Sequence, residues 1–356
     1  MQPRPPRLLD PVFDDPHEFL ALVYRNGPFP SLQQRVMTNA VESAAITGEW
    51  VTDAMIARAS AGAERSVAIS ASYRSYWARA GAPLRADAAW LLTHRRFLDA
   101  VRALFPESDP LVRPDEIYVN VQVPQQIRPG SAHVDIPKFR GIGRREFPVW
   151  LLTTMRRSAL FEPWRVPVAT AVCWFYDGPG GTYTYWPDGP DAPPRQTTHP
   201  FTNTAVVGEN DTMFHRGDAI GPPDAAAPGG LTLDCVCEPL DTTAPARWRI
   251  RDADRVVAEY DAAQMRIALS WSAEVYVDDH ARQVADEHRD DLTIEAVVDT
   301  FVHDLRARGQ HVDHPVDPLH DVHFIARLAR TYRVVPTLFP TAAETHAVAC
   351  TPSTVA

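Results

Sequence analysis

The residues of this chain that could do chemistry begin with His133 and Asp135, a His-x-Asp in the middle of the sequence. Side chains alternate between the two faces of a strand, so both would project from the same face of an extended segment. One imidazole and one carboxylate on a rigid face, joined by a second imidazole from a distant strand, form the facial triad of non-haem Fe(II) sites. His215, which begins a His-Arg-Gly, is the candidate for the third position. The sequence therefore predicts a metal site formed by His133, Asp135 and His215.

Two basic residues follow the His-x-Asp and are candidates for substrate contact. Lys138 is the single lysine among the 35 Lys and Arg residues, and it comes three positions after Asp135. It is a candidate for contact with substrate or cosubstrate, and a solvent-exposed side chain is the alternative. Arg140 could anchor a substrate carboxylate through a bidentate pair, an arrangement that the arginine fork favours.

Aromatic residues downstream form a second group of substrate candidates. Tyr183 and Tyr185 alternate on a predicted strand, and Trp174 lies on the strand before it. These side chains either wall a substrate pocket or fill the interior of the fold, and both interpretations stay open. A second His-x-Asp, at His311 and Asp313, lies between helical stretches next to prolines, so we expect a solvated loop there.

Composition limits the classes of function. The net charge of −10 argues against a general nucleic-acid binder, which needs a basic excess to neutralise phosphates. No apolar run reaches the roughly 18 residues of a membrane span, and the N-terminus lacks the apolar core of a signal peptide. The four cysteines do not form a disulfide framework in a chain of 356 residues. We expect a cytoplasmic protein with a small-molecule substrate and neither nucleic acid nor membrane as a partner; the sequence leaves its oligomeric state open.

The elements that must position these residues follow from apolar spacing and from Gly/Pro punctuation. An α+β fold is expected, with a β-sandwich or jelly-roll core flanked by N- and C-terminal helices. Trp248–Arg251 and Val256–Tyr260 resemble the two arms of a hairpin. The predicted helices cover residues 17–24, 31–46, 53–60, 72–80, 88–104, 294–308 and 321–332, and the predicted strands cover 116–124, 149–153, 168–176, 182–186, 202–207 and 265–277.

Nothing in the sequence suggests a linker between independent domains, so we predict that residues 1–356 form a single domain. Residues 1–113 would be a helical N-terminal section. Residues 114–280 would be the jelly-roll core, interrupted by an insertion at about 218–262. Residues 281–356 would be a helical C-terminal section.

The order of motifs between about residues 116 and 277 resembles the Fe(II)/2-oxoglutarate-dependent oxygenase superfamily. A strand leads through a turn at Arg128-Pro129-Gly130 into the His-x-Asp. A strand–Gly-Gly–strand hairpin follows at Gly180-Gly181, similar to that of prolyl-hydroxylase-type members, and then His215-Arg216-Gly217. Arg266 opens a later strand, where the superfamily keeps a basic residue. The resemblance covers less than half of the chain.

The resemblance implies a double-stranded β-helix and a non-haem Fe(II) dioxygenase. It implies that His133, Asp135 and His215 hold Fe(II), that Arg266 and Ser270 bind 2-oxoglutarate, and that O2 is the oxidant. No catalytic residue beyond the metal ligands is implied. The expected reaction is hydroxylation, desaturation or oxidative cyclisation of a small molecule such as an amino acid or a natural-product intermediate in secondary metabolism. Arg266 lies further beyond the distal His than is usual in the family, which requires the insertion at 218–262.

Three alternatives remain at the level of sequence. The first is an iron oxidase of the same fold that works without 2-oxoglutarate. The second is a cupin-type metal enzyme, although the chain contains no His-x-His of the kind that cupins use. The third is a binding or scaffold protein whose β-core has lost its metal.

Overall fold

The structure is a computed structural model that describes residues 2–32, 39–62, 70–106, 109–126, 132–243 and 246–338. It combines α-helices with antiparallel sheets. The helices are α1 Pro16–Arg25, α2 Ala40–Thr47, α3 Asp53–Ser60, α4 Arg95–Leu104, α5 Val149–Ser158, α6 Asp279–Asp286, α7 Ile294–Ala307 and α8 Val322–Thr331. The strands are β1 Arg7–Leu9, β2 Phe29–Pro30, β3 Ser72–Arg79, β4 Ala82–Pro83, β5 Leu111–Gln122, β6 Lys138–Phe139, β7 Arg165–Val166, β8 Val168–Phe175, β9 Tyr183–Tyr185, β10 Arg195–Gln196, β11 Thr204–Gly208, β12 His215–Gly217, β13 Val236–Pro239, β14 Arg247–Asp252, β15 Arg255–Asp261 and β16 Arg266–Tyr276.

The largest sheet within the described residues has seven strands in the order β1-β11-β8-β16-β5-β3-β4, and all of its pairs are antiparallel. We call it the large sheet. The small sheet runs β10-β9-β12 and contains His215. The insertion sheet runs β15-β14-β13-β2, so residues 236–261 build a sheet of their own together with Phe29–Pro30. Helices α2, α3, α5 and α8 pack against one another, which joins elements from both ends of the chain.

The two faces of the large sheet carry different side chains because residues alternate along each strand. On one face Val121 and Leu269 pack with Phe19 of α1 in the main hydrophobic core. On the other face Ala268 packs with Tyr183 of the small sheet in a separate, smaller cluster. This second face, which we call the inner face of the large sheet, is directed toward the strand that carries His215. Its polar side chains are the ones that can reach the site.

Two predicted elements were wrong in type. Residues 72–79 form strand β3 and not a helix, because alternate residues such as Tyr73 and Trp77 are buried while the strand pairs with β5. Residues 149–158 form helix α5 and not a strand. All residues of α5 from Trp150 to Arg157 are buried, so this run of β-branched and apolar residues fills a helical position inside the core, where packing overrides propensity.

The other predicted strands and helices are present with shifted ends, with two exceptions. In the helix predicted at 88–104, Ala86–Thr93 form a 3-10 helix and the α-helix begins at Arg95. The His-x-Asp segment forms only an isolated bridge, at His133. The helix predicted at 31–46 begins at Ala40 in the described residues, where the Asn39 side chain accepts hydrogen bonds from Val41 N and Glu42 N. Its residues 33–38, the turn at residues 128–130 and Cys350 lie outside the described residues. Within the described ranges Cys173, Cys235 and Cys237 are free thiols, and no helix combines the length and apolarity that crossing a bilayer requires.

Candidate metal centre

The structure brings the three predicted ligands together. His133 and His215 face each other across an antiparallel bridge, with His133 N donating to His215 O at 3.0 Å and His215 N donating to His133 O at 2.9 Å. Asp135 N donates to Asn210 O at 2.7 Å. These backbone bonds fix the His-x-Asp segment against the chain that leads into His215. One ligand atom from each of the three side chains can be chosen so that all lie within 4.8 Å of one another.

The orientation of His215 suits a metal ligand. Its Nδ1 lies 3.0 Å from Met213 O, so Nδ1 carries the proton and donates to that carbonyl. Nε2, which keeps its lone pair, then points to the Asp135 carboxylate at 3.6 Å. Metal-binding histidines are commonly fixed in this way through the second ring nitrogen. His215 is buried, Asp135 is half-buried and His133 is exposed, so the site is closed on one side and accessible on the other.

The electrostatics of the ligands favour an ionised carboxylate. Burial raises the pKa of Asp135, but the His215 imidazole and the charge of His133 outweigh burial and lower this pKa to about 2. Burial lowers the pKa of His215, but Asp135 and the Met213 carbonyl outweigh it and raise that pKa. A metal at Nε2 would compete with a proton that Asp135 attracts to the same atom.

The donor set fits Fe(II). Two imidazoles and one carboxylate occupy three positions and leave the others open, as in the facial triads of non-haem iron sites. Among the described residues this is the one group of three His, Cys, Asp or Glu side chains whose ligand atoms come this close. The second His-x-Asp does not form such a group: His311 is exposed in a loop, as expected.

A polar network holds strand β12 and the hairpin beside it. Asp218 accepts hydrogen bonds from the hydroxyls of Thr182 and Thr184 at 2.8 and 2.7 Å, and from Arg216 Nε at 2.9 Å. Gly180 and Gly181 at the hairpin turn both have positive φ, and a Cβ on Gly180 would come within 2.3 Å of Ala219 O. The Gly-Gly motif is therefore required by the turn and by the close approach of the chain after His215.

A buried ion network holds the segment between β11 and β12. Arg165 pairs with Glu209 at 3.1 Å and with Asp211 at 3.0 Å, and all three side chains are largely buried. Arg156 donates to the Thr212 hydroxyl at 2.6 Å. This segment includes Asn210, whose backbone carbonyl accepts a hydrogen bond from Asp135 N. The ion network therefore helps to hold Asp135 in position.

Arg266, the predicted cosubstrate residue, is buried on the inner face of the large sheet at 4% exposure. Its Nε donates to Gly181 O at 2.6 Å and its Nη1 to Gln122 Oε1 at 2.7 Å. In the described part of the chain no carboxylate lies within ion-pair distance of it. Burial lowers the pKa of Arg266 to about 10, partly offset by Asp218 and by nearby tyrosines. A buried cation without an anion is costly, and an anionic ligand would supply the missing partner.

The other predicted residues on this face line the same interior. Ser270 is buried on the same face of β16, four residues beyond Arg266 and opposite Tyr118 on β5. The Tyr183 ring lies 5.6 Å from the His215 ring and 5.0 Å from Trp174. Tyr185 stacks on Tyr183 at 5.8 Å and pairs with His215 across the small sheet.

Unpaired polar atoms accompany these rings. Within the described residues the Tyr183 hydroxyl, Trp174 Nε1 and Asn210 Oδ1 are buried without a hydrogen-bond partner. Buried polar atoms are ordinarily paired, but the indole nitrogens of Trp77 and Trp271 in the main hydrophobic core are equally without partners. A bound molecule could supply the bonds that Tyr183 and Trp174 lack.

Lys138 and Arg140 are engaged by carboxylates of the chain itself. Lys138 forms ion pairs with Asp115 and, at 3.0 Å, with Glu274. Arg140 makes a bidentate pair with Asp290, with both bonds at 2.7 Å, and also donates to Pro163 O at 2.6 Å. Their contact with a substrate stays a prediction, and a substrate would have to compete with these partners.

The sequence analysis did not single out Arg74, Tyr118 and Asn120, which the structure places on the inner face of β3 and β5. Arg74 pairs with Asn120 across the two strands, and its guanidinium lies over the Tyr118 ring at 3.8 Å. The alternation of Tyr118 and Asn120 with buried apolar residues along β5 is the signal that could have found them. Arg74 carried no such signal because its strand was predicted to be a helix.

Comparison with known proteins adds little at the level of sequence. No family model matches the chain, and no curated protein matches it. Solved structures do resemble it. An oxidoreductase of the 2OG-Fe(II) oxygenase family from Burkholderia pseudomallei is 14% identical, with 74% of this chain and 91% of that one covered and a TM-score of 0.29. A prolyl-4-hydroxylase from Pseudomonas putida is 13% identical, with 74% and 99% covered and a TM-score of 0.27.

A bsmA homolog from Methylobium petroleophilum is 16% identical, with 54% of each chain covered and a TM-score of 0.24. The name of the Burkholderia protein is that of the family whose motifs this chain resembles. With TM-scores this low, the chemistry of the site has to be argued from this chain's own side chains.

Proposed function

We propose that this protein is a non-haem Fe(II) dioxygenase that uses 2-oxoglutarate and O2 to oxidise a small molecule. The observation that supports it best is the convergence of His133, Asp135 and His215 from distant parts of the chain. The large and small sheets, which face each other across the interior that contains these ligands, would be the two layers of a double-stranded β-helix.

The proposal gives each group a task. His133, Asp135 and His215 would hold Fe(II), with His215 fixed by its bond to Met213 O. Arg266 would pair with the distal carboxylate of 2-oxoglutarate, with Ser270 on the same face of the strand. When bound, Fe(II) with 2-oxoglutarate and O2 supplies the oxidising equivalents for attack on a C–H bond. Trp174, Tyr183 and Tyr185 would wall the interior and keep water away from the reacting atoms.

Support for 2-oxoglutarate comes from Arg266. A guanidinium at 4% exposure, bonded to an amide and a carbonyl but to no carboxylate in the described residues, is poised for a carboxylate ligand. The donors of Tyr183 and Trp174 are also unsatisfied in the same interior. The substrate and the outcome of the oxidation, whether hydroxylation, desaturation or cyclisation, are left open by this support.

The test is an anaerobic Fe(II) titration with and without 2-oxoglutarate, in which the weak visible metal-to-ligand charge-transfer band is recorded. Wild-type protein should bind Fe(II) and develop the band only when 2-oxoglutarate is added, and in air it should form succinate from 2-oxoglutarate. His133→Ala should abolish all three signals. His311→Ala, which alters the other His-x-Asp of the chain, is the matched control and should behave as wild type.

Two outcomes would redirect the assignment. Fe(II) binding without any effect of 2-oxoglutarate would favour an iron enzyme that takes its electrons from the substrate alone. Protein that binds no Fe(II) would contradict the proposal and leave a non-catalytic role for the β-core.

A further inference from the structure

A second cation on the inner face of the large sheet has no assigned task. Arg74 of β3 is half-buried, and its Nε donates to Asn120 Oδ1 at 2.8 Å. Its guanidinium carbon lies 3.8 Å from the centroid of the Tyr118 ring, and Nη1 lies 3.4 Å from the Tyr76 hydroxyl. The stacked ring and the amide bond together fix the plane and the direction of the guanidinium.

The fixed guanidinium keeps unused donors. Its described contacts occupy Nε and one hydrogen of Nη1, and they leave Nη2 without a partner among the residues that the structure describes. No carboxylate in those ranges pairs with it. Arg113, Arg140 and Arg165 differ, since all three bond carboxylates, whereas Arg157 and Arg306 are held by backbone carbonyls. An arginine oriented by neutral groups, with one edge left free, is arranged to bind an anion.

The location of Arg74 ties it to the metal centre. The Asp135 carboxylate and the Arg74 guanidinium are close enough for each to shift the pKa of the other. Arg74 also shares the inner face of the large sheet with Arg266, because Arg74 pairs with Asn120 and Arg266 with Gln122 on the intervening strand. Strand spacing puts their backbones roughly 10 Å apart across the sheet and about 7 Å apart along it. The two arginines therefore lie at different positions in the same interior.

We infer that Arg74 forms an anion subsite for the substrate that the enzyme oxidises. The subsite binds a carboxylate of that substrate, so the substrate is a small carboxylic acid held beside the metal centre. The substrate assignment rests on the proposed function, whereas the anion subsite itself does not require iron. Arg266 holds the cosubstrate in this scheme, and Arg74 holds the substrate.

The chemistry of the subsite favours a monoanion. A carboxylate matches the planar edge of a guanidinium with two parallel bonds. A phosphate ester would place nearly two negative charges near Asp135, and like charges in a partly buried site repel. The rings of Tyr76 and Tyr118 offer apolar surface next to the cation, which suits the hydrocarbon part of an organic acid.

The test measures binding of acetate, propionate and phenylacetate, each paired with its amide, to metal-free protein by ligand-observed NMR and calorimetry. Phenyl phosphate serves as the dianion. The variants are Arg74→Gln, Arg74→Lys and Arg79→Gln. Arg79 is the matched control. It lies on the same strand and its guanidinium stacks on the Tyr76 ring at 3.7 Å, but its side chain is exposed and pairs with Glu116.

We expect at least one acid to bind the wild type more tightly than its amide and more tightly than phenyl phosphate binds. Arg74→Gln should weaken acid binding by about tenfold or more and leave amide binding unchanged, because a charge-assisted hydrogen-bonded pair is lost. Arg74→Lys should retain part of the affinity, and Arg79→Gln should match the wild type. Melting temperatures of all variants show that they are folded.

The 2-oxoglutarate affinity of the Fe(II) form separates this inference from the proposed function. It should be the same in Arg74→Gln and wild type, and should fall only when Arg266 is replaced. Equal acid binding by Arg74→Gln and wild type, equal binding of acids and amides, or no acid binding to the wild type overturns the subsite. A loss of 2-oxoglutarate affinity in Arg74→Gln also overturns it, because Arg74 would then serve the cosubstrate. Absence of Fe(II) binding with acid binding intact removes the proposed function and leaves the anion subsite.

Discussion

Replacing Arg266 by methionine separates the stability of the fold from the binding of the cosubstrate. In the ligand-free fold Arg266 is buried with two neutral acceptors, Gly181 O and Gln122 Oε1, and no carboxylate in the described residues. Burial lowers the pKa of Arg266 to about 10, which means that the fold holds the charged form less well than water does. Methionine fills a similar volume without a charge.

The magnitudes nearly cancel for stability. Arginine normally has a pKa above 12, and a fall to about 10 corresponds to a cost of about 3 kcal/mol for the charged form at neutral pH. Methionine removes that cost but leaves the Gly181 and Gln122 acceptors unpaired, which costs about 1–3 kcal/mol for each acceptor. The free energy of unfolding without ligand should therefore change by about 3 kcal/mol or less. Binding of 2-oxoglutarate should lose about 2–5 kcal/mol, an affinity decrease of about 30-fold or more.

The assay is urea unfolding of Arg266→Met and wild type under anaerobic Fe(II), with and without 2-oxoglutarate. The wild type should gain stability from 2-oxoglutarate, and the variant should gain little at the same concentration. Arg249→Met is the control, because Arg249 pairs with Glu259 in the insertion sheet, away from the metal ligands. Wild-type 2-oxoglutarate affinity in Arg266→Met would refute the role of the guanidinium. A loss of stability far above about 3 kcal/mol in Arg266→Met without 2-oxoglutarate would refute the cost assigned to the burial of the guanidinium.

Three further perturbations test other parts of the site. Asp135→Asn should lower Fe(II) affinity by more than about 100-fold in a titration and leave the far-ultraviolet circular dichroism unchanged, because loss of an outer-shell partner alone costs about 10- to 100-fold. Arg165→Met should destabilise the protein by about 3–5 kcal/mol in urea unfolding, because it leaves Asp211 buried without its ion-pair partner and leaves Glu209 with Arg4 alone. Burial raises the pKa of Glu274, but its cationic neighbours outweigh burial and lower it. The unfolded state therefore binds more protons, so the wild type should lose stability more steeply than Glu274→Gln as the pH falls below about 4.5.

The grouping of His133, Asp135 and His215 could be predicted from the sequence because its signals are local. His133 and Asp135 carry their own spacing, and the glycines and the His-Arg-Gly mark the turns that bring His215 back. The backbone hydrogen bonds that hold these segments together could not be predicted from the sequence. The bridge between the backbones of His133 and His215, and the bond from Asp135 N to Asn210 O, depend on a register that only the folded chain sets.

The inner wall of the site was harder to predict, for a physical reason. Strand β3 has Ser72, Arg74 and Tyr76 on its inner face. Because of these polar residues, the apolar alternation of a strand that is buried on one side only could not be recognised in the sequence. Its assignment as a helix removed Arg74 from consideration. The prediction of a strand at residues 149–153 failed for a different reason. Helix α5, which these residues begin, is buried all round and therefore shows no amphipathic period. Both errors occurred where burial does not follow the usual one-sided pattern.

The arrangement of charges explains why the interior remains costly without ligands. Arg74 and Arg266 lie on one face of the large sheet, and neither has a carboxylate partner in the described residues, although the chain has more acidic than basic residues. A fold selected for stability alone would place anions beside them, as it does for Arg165. At Arg74 burial lowers the pKa, but Tyr118, Tyr76 and Asp135 outweigh burial and raise it. Arg266 is held only by neutral groups, so part of the folding free energy is forgone until an anion arrives. This is the stability–activity trade-off expected of a binding site. It predicts that two anions, bound at separate positions, stabilise this protein independently of each other.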